Sequence, residues 1–198
     1  MKKRIFLIIF STVLLFTSLM IRISANYNNV CNIFVENGVK GNLICETNLI
    51  VTHVINNTDE VFKEINYKND GSIVSIEINS KAINKICNDI SIEIYKKIKD
   101  SHHSYGMPFG NTLNIAYFSG KGFKIDAEII PVGYVEYKIN TTLTEAGINQ
   151  TLHRISADFF VEAKCILPFN KTTVKISLPI ILSETLIVGN IPEVLFTS

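Results

Sequence analysis

The side chains best suited to chemistry lie in one short block, Gly147-Ile148-Asn149-Gln150-Thr151-Leu152-His153-Arg154. Asn and Gln each offer a donor and an acceptor, Thr a hydroxyl, and His a ring nitrogen that binds metal or moves a proton near neutral pH. Such a set admits three roles. In the first, His153 is a general base oriented by Glu145 or Asp158, with Thr151 or Cys165 as nucleophile. Nothing in the spacing enforces that constellation, and the strand register is read as placing Cys165 on the sheet face opposite His153. In the second, the block is a polar clamp: Gly147 takes a backbone conformation closed to other residues, and Asn149, Gln150 and Thr151 satisfy the groups left unpaired. In the third, Asn149, Gln150, Thr151, His153 and Arg154 form a surface for a partner. Clamp and partner surface are the expected roles, and no residue is assigned to catalysis, to a cofactor or to a metal.

Other candidates are weaker. His102-His103 could join His53 at a metal, but a site needs three or four converging ligands. Ser119-Gly120-Lys121-Gly122 lacks the spacing of a phosphate loop and is expected to be a tight turn into the strand at Phe123. Glu184, in Glu184-Thr185-Leu186-Ile187-Val188-Gly189-Asn190-Ile191-Pro192, could be a buried acid, yet Gly189 and Pro192 read better as a strand end and a docked tail. The chain contains no Gly-x-Ser-x-Gly elbow and no His-Glu-x-x-His pair. Cys31, Cys45, Cys87 and Cys165 are far apart with no Cys-x-x-Cys, which argues against a zinc ribbon or a redox pair. Their pairing does not follow from spacing, and buried free thiols are expected at Cys45, Cys87 and Cys165.

These residues need elements to hold them. Leu43, Ile44, Ile50, Val51, Val54 and Ile55 follow helical spacing between Asn42 and Asn57. Two short strands flank Asn69-Asp70-Gly71, a turn with hairpin chemistry. Asn79 or Ser80 then caps a second helix with the stripe Ile83, Ile86, Cys87, Ile90, Ile94 and Ile98. Beyond Asp100 the period falls to two. Phe123 to Ile129 and Val135 to Ile139 alternate around Pro131-Val132-Gly133 and read as a hairpin. A long strand follows with Ile155, Ala157, Phe159, Val161, Ala163, Cys165 and Leu167 on one face, then another from Val174 to Leu182, joined by Pro168-Phe169-Asn170-Lys171.

The chain has 198 residues, with 19 basic and 18 acidic side chains, so no clustered basic surface points to nucleic acid. Lys2-Lys3-Arg4 precedes Ile5 to Ile21, a stretch of 17 residues without charge, near the lower limit for a membrane-spanning helix. A cleaved signal peptide shares this beginning. The apolar run exceeds an ordinary signal core, and Arg22 beside Ile23-Ser24-Ala25 makes a poor cleavage site, which favours an anchor with its N-terminus cytoplasmic. The expected fold class is α+β: an N-terminal transmembrane helix, then a helix-hairpin-helix unit packed on a long-stranded antiparallel β-sheet. The expected divisions are a cytoplasmic tail (1–4), an anchor (5–21), a linker (22–41), an α+β part (42–100) and an antiparallel β part (101–198).

Four segments occur together in one order: Phe118-Ser119-Gly120-Lys121-Gly122, Pro131-Val132-Gly133, Gly147-Ile148-Asn149-Gln150-Thr151-Leu152-His153, and Glu184-Thr185-Leu186-Ile187-Val188-Gly189-Asn190-Ile191-Pro192. In this the chain resembles the YunB family of sporulation proteins. The resemblance implies a single-pass protein of the mother-cell or outer forespore membrane, its bulk in the space between the forespore membranes, and it brings no established chemistry. The expected function is non-enzymatic, through contacts with a protein partner or a second copy, without cofactor or nucleic acid. A module for lipid or another hydrophobic ligand and an exported cell-wall-processing enzyme stand as alternatives.

Overall fold

The N-terminal apolar segment does not end in a linker. In a computed structural model, which describes residues 2–69, 73–101, 105–113, 115–147 and 149–188, helix α1 runs Lys2–Phe34, passes through a π-helical turn, Val35–Val39, and continues as α2, Lys40–Asn56. Residues 22–41 are therefore helical. The cause is a stripe: Cys31, Val35, Val39, Leu43, Thr47 and Val51 recur every fourth residue and all are buried. Burial of that stripe outweighs the weak propensity of the Asn-rich stretch and of Gly38 and Gly41. A four-residue repeat overshoots the 3.6-residue turn, and one wide turn takes up part of the excess. The helix-hairpin-helix unit is corrected by the same observation, because its first helix is the far end of one helical run from Lys3 to Asn56.

The chain forms two compact units that interleave in sequence. The first comprises Met1–Leu43, Ile98–Val132 and Ala163–Val174, the second Ile44–Lys97, Gly133–Glu162 and Lys175–Ser198. In the second, β1 (Lys63–Tyr67) pairs antiparallel with β2 (Ile73–Ile78), Ile65 opposite Ile76. Asp70 and Gly71 of the expected turn lie outside the described residues. Helix α3 (Ser80–Asp100) begins where Asn79 Oδ1 accepts the Ala82 amide at 3.0 Å, the cap expected from sequence. Its stripe of Ile83, Ile86, Cys87, Ile90, Ile94 and Ile98 is buried throughout.

The sheet has five strands, β3 (Tyr105–Pro108), β4 (Lys124–Pro131), β5 (Glu136–Gly147), β6 (Gln150–Leu167) and β7 (Asn170–Val188), in the order β3-β4-β6-β5 with β7 also paired to β6. Pro131-Val132-Gly133 does not close a hairpin. Ile129 of β4 lies opposite Cys165 and Tyr137 of β5 opposite Phe159, so each pairs with β6 instead. Alternation marks a one-sided strand but carries no information on its partner, and an 18-residue β6 has length enough for both. Along β6 every second residue from His153 to Leu167 is buried without interruption. His153 and Cys165, an even number of residues apart with no bulge between, therefore share the buried face, which corrects the expected opposition.

All four cysteines are unbridged, with Cys31, Cys87 and Cys165 buried. Cys45 is exposed, because it falls between Leu43 and Thr47 and off their buried line. Burial pushes the thiols of Cys87 and Cys165 up to about 11, which leaves little thiolate at neutral pH.

Candidate functional site

The polar block is the turn between β5 and β6. The two strands pair almost to their ends, Glu145 opposite Thr151 and Gly147 opposite Gln150, with a register shift between Glu145 and Gly147. The connection is thus two residues, Ile148 and Asn149, of which Ile148 lies outside the described residues. Gly147 has φ +147° and Asn149 φ 58°. A Cβ on Gly147 would meet nothing closer than Gln150 Oε1 at 3.5 Å, so backbone conformation, not space, calls for glycine. Asn tolerates the left-handed region because its short polar side chain bonds locally. The glycine half of the clamp is thus observed.

Asn149 is exposed and Gln150, Thr151 and Arg154 are half-buried. Arg154 Nε donates to Glu184 Oε2 at 2.5 Å, both side chains partly open to solvent. That ion pair brings the first motif against the Glu-Thr motif of β7, 30 residues later. In water such a pair contributes under about 1 kcal/mol, so its importance is in alignment more than stability. Residues 141–147 of β5 are exposed, and this end of the sheet presents Leu143, Leu186 and Val188 to solvent.

His153 is the correction in this set. It is 3% exposed because it continues the apolar face of β6, and it offers no surface to a partner. Its Nδ1 is buried with no hydrogen-bond partner among the described residues. Of the general-base constellation, Asp158 and Cys165 are set apart from His153, while Glu145 and Thr151, opposite each other, lie on the same face of the paired strands as His153 and its partner Leu143. Asp158, five residues away, points to the other face of β6 and accepts a hydrogen bond from Asn140 Nδ2 at 2.7 Å. Cys165 is twelve residues further along the same strand. His153→Leu removes an unpaired buried nitrogen and is expected to leave stability unchanged or raise it by about 1 kcal/mol. Urea denaturation tests this, and a clear loss would show that the ring makes a bond worth keeping.

The remaining candidates resolve locally. His102 and His103 lie outside the described residues, as do Gly189 to Pro192. Among the described residues no group of three or more His, Cys, Asp or Glu is placed to hold a metal. Ser119-Gly120-Lys121-Gly122 is a turn leading toward β4, with φ 75° at Gly120 and 96° at Gly122. Lys121 Nζ lies 4.0 Å from the centre of the Tyr117 ring.

Sequence reasoning missed a cavity of about 830 Å³ in the first unit. Met20, Ile23 and Tyr27 line it from α1, and Phe109, Phe123 and Phe169 from the other side. Tyr27 is set by a hydrogen bond from its hydroxyl to the Pro168 carbonyl. Burial, then its bond with Cys31, pushes this phenol up to about 12. One signal was legible: Ile23 and Tyr27 extend the four-residue line of Cys31, Val35 and Val39 backward toward the apolar run.

Residues 104–194 match the family model described as Sporulation protein YunB (Spo_YunB). Sporulation protein YunB of Bacillus subtilis (strain 168) is 21% identical over 169 residues, which cover 75% of this chain and 66% of that protein. The match thus spans just under two thirds of the relative's length. No solved structure matches.

Proposed function

We propose that this chain, whose residues 104–194 match the model of the YunB family of sporulation proteins, acts as a membrane-anchored, non-enzymatic component of endospore formation. It meets a protein partner or a second copy through the free end of its sheet. The observation that carries this reading is the convergence of the two motifs there, with Arg154 paired to Glu184 beside exposed apolar side chains. Among the described residues strand β5 ends the order β3-β4-β6-β5, which leaves one of its edges for an added strand. Asn149, Gln150, Thr151 and Arg154 flank that edge, and His153 is withdrawn from the contact set by its burial.

The anchor is supported by length and composition. The helical run from Lys3 to Asn56 includes a window apolar enough to cross a membrane and wholly exposed in the folded chain. Lys2, Lys3 and Arg4 keep the N-terminus cytoplasmic, which sends the sheet to the far side, into the space between the forespore membranes. Deleting Ile5 to Ile21 is expected to release the protein from membranes and to abolish its contribution to sporulation. Full complementation by the released protein would sink the anchored reading. A photo-crosslinker at position 143 is expected to capture a protein partner or a second copy in sporulating cells. The same adducts from position 160 would move the contact away from this end of the sheet.

A further inference from the structure

We infer that the cavity at the foot of the apolar run holds an acyl chain of a phospholipid, drawn from the leaflet where that run ends. The inference rests on the anchored reading and adds a ligand to it. Ile5 to Ile21 span about 25 Å as helix, against a hydrocarbon core of about 30 Å. The shortfall draws the next turn of α1 toward the bilayer, with Arg22 able to reach the headgroups on its long stem. Met20, Ile23 and Ser24 then lie at the hydrocarbon boundary, and they are the residues where the cavity begins. Its mouth accordingly opens at lipid level, where a soluble partner would have to enter the headgroup layer to reach it.

The chemistry and the rim agree with that occupant. A volume of about 830 Å³ falls in the range of pockets that take small apolar ligands. The walls are mainly aliphatic and aromatic, and Ser24, Asn28 and Asp126 are the polar side chains among the lining residues other than Tyr27. Phe169 is 99% exposed at the turn between β6 and β7, and Phe123 and Tyr117 are also largely bare. Tyr suits the headgroup level of a membrane, and exposed Phe the boundary between headgroups and acyl chains. Phe169 is held there by the helix itself. The Tyr27 hydroxyl donates to the Pro168 carbonyl, Asn170 Nδ2 to Asn28 Oδ1 at 3.1 Å, and Thr172 Oγ1 to Asn32 Oδ1 at 3.1 Å. The turn is thereby pinned about two to three helical turns beyond Ile21, with its ring projecting.

The chain contains no Trp, so single replacements report their own surroundings. The full chain is reconstituted in phosphatidylcholine vesicles carrying a rising fraction of lipid brominated along its acyl chains. Emission from Phe123→Trp and Phe169→Trp is expected to fall with bromine content, as it does for Phe16→Trp in the anchor, while Phe160→Trp is unaffected. Adding Ser24→Phe to Phe123→Trp fills the cavity and is expected to restore emission without altering Phe16→Trp. If Phe16→Trp is quenched and Phe123→Trp is not, the anchor stands and the lipid site is overturned. If the filled variant remains quenched, the rim merely rests on the bilayer and the site is overturned again. Phe123→Trp emission that responds to protein density but not to bromine assigns the cavity to a second copy. No quenching of Phe16→Trp removes the anchored reading itself.

Discussion

Phe159→Ala is expected to lower the stability of the chain by about 3–5 kcal/mol, a large part of the roughly 5–15 kcal/mol that holds a typical domain together. Phe159 is fully buried and heads the buried side chains in size. It sits directly opposite Tyr137 on β5, the ring centres 6.0 Å apart, so truncation removes a cross-strand aromatic pair as well as apolar area. The neighbouring Phe160 is 44% exposed and faces the other way. Phe160→Ala is expected to change stability by no more than about 0.5 kcal/mol. Urea denaturation of both variants in detergent measures the difference. Equal losses would mean that β6 is paired one residue out of register, since a single slip exchanges the two faces of a strand.

That contrast also marks what a sequence can disclose. The faces of β6 and α3 were legible because each is a periodic commitment: every member of the Ile83 to Ile98 stripe and of the Ile155 to Leu167 face is buried. The joining of those elements was not. Val132 and Gly133 between two alternating runs suggested a hairpin, yet β4 and β5 both chose β6, a decision set by strand length and not by local pattern. The stretch from Arg22 to Gly41 failed for a different reason. It reads as a linker between the anchor and the first expected helix, while its apolar residues at every fourth position are sparse enough to overlook. At the polar block, Gly147 was legible as a conformational requirement. His153 was misjudged because polarity was given more weight than its place two residues before Ile155 on the buried face. The cavity was the least accessible, since it is lined by segments near residues 20–28, 109, 123–126 and 168–169 that only the fold brings together.

Gly110→Ala is expected to damage the first unit by about 3 kcal/mol or more, the upper end of what overpacking costs. A Cβ at this position would lie 1.9 Å from the Phe118 carbonyl oxygen and 2.6 Å from that of Lys121. Both are backbone atoms, and neither can rotate away as a side chain would. The Gly110 amide donates to the Lys121 carbonyl at 2.9 Å and the Phe109 amide to that of Phe123 at 2.8 Å. The turn is closed further by Lys121 N–H to Phe118 O at 3.0 Å and Gly120 N–H to Asn111 Oδ1 at 2.7 Å. Relief of the clash must therefore break several of these bonds together. Gly120→Ala supplies the comparison: its φ of 75° is unfavourable for alanine, but no atom lies within 4 Å of the new Cβ, so a loss of about 1–2 kcal/mol is expected. The Ser-Gly-Lys-Gly turn thus owes its compactness to a glycine nine residues before it. Because Phe109 and Phe123, stacked with ring centres 4.8 Å apart, form one wall of the cavity, Gly110→Ala should also loosen that wall. Thermal unfolding and the bromine quenching of a Trp at position 169 in the same variant measure the two effects, and a variant with wild-type stability would refute this packing of the turn.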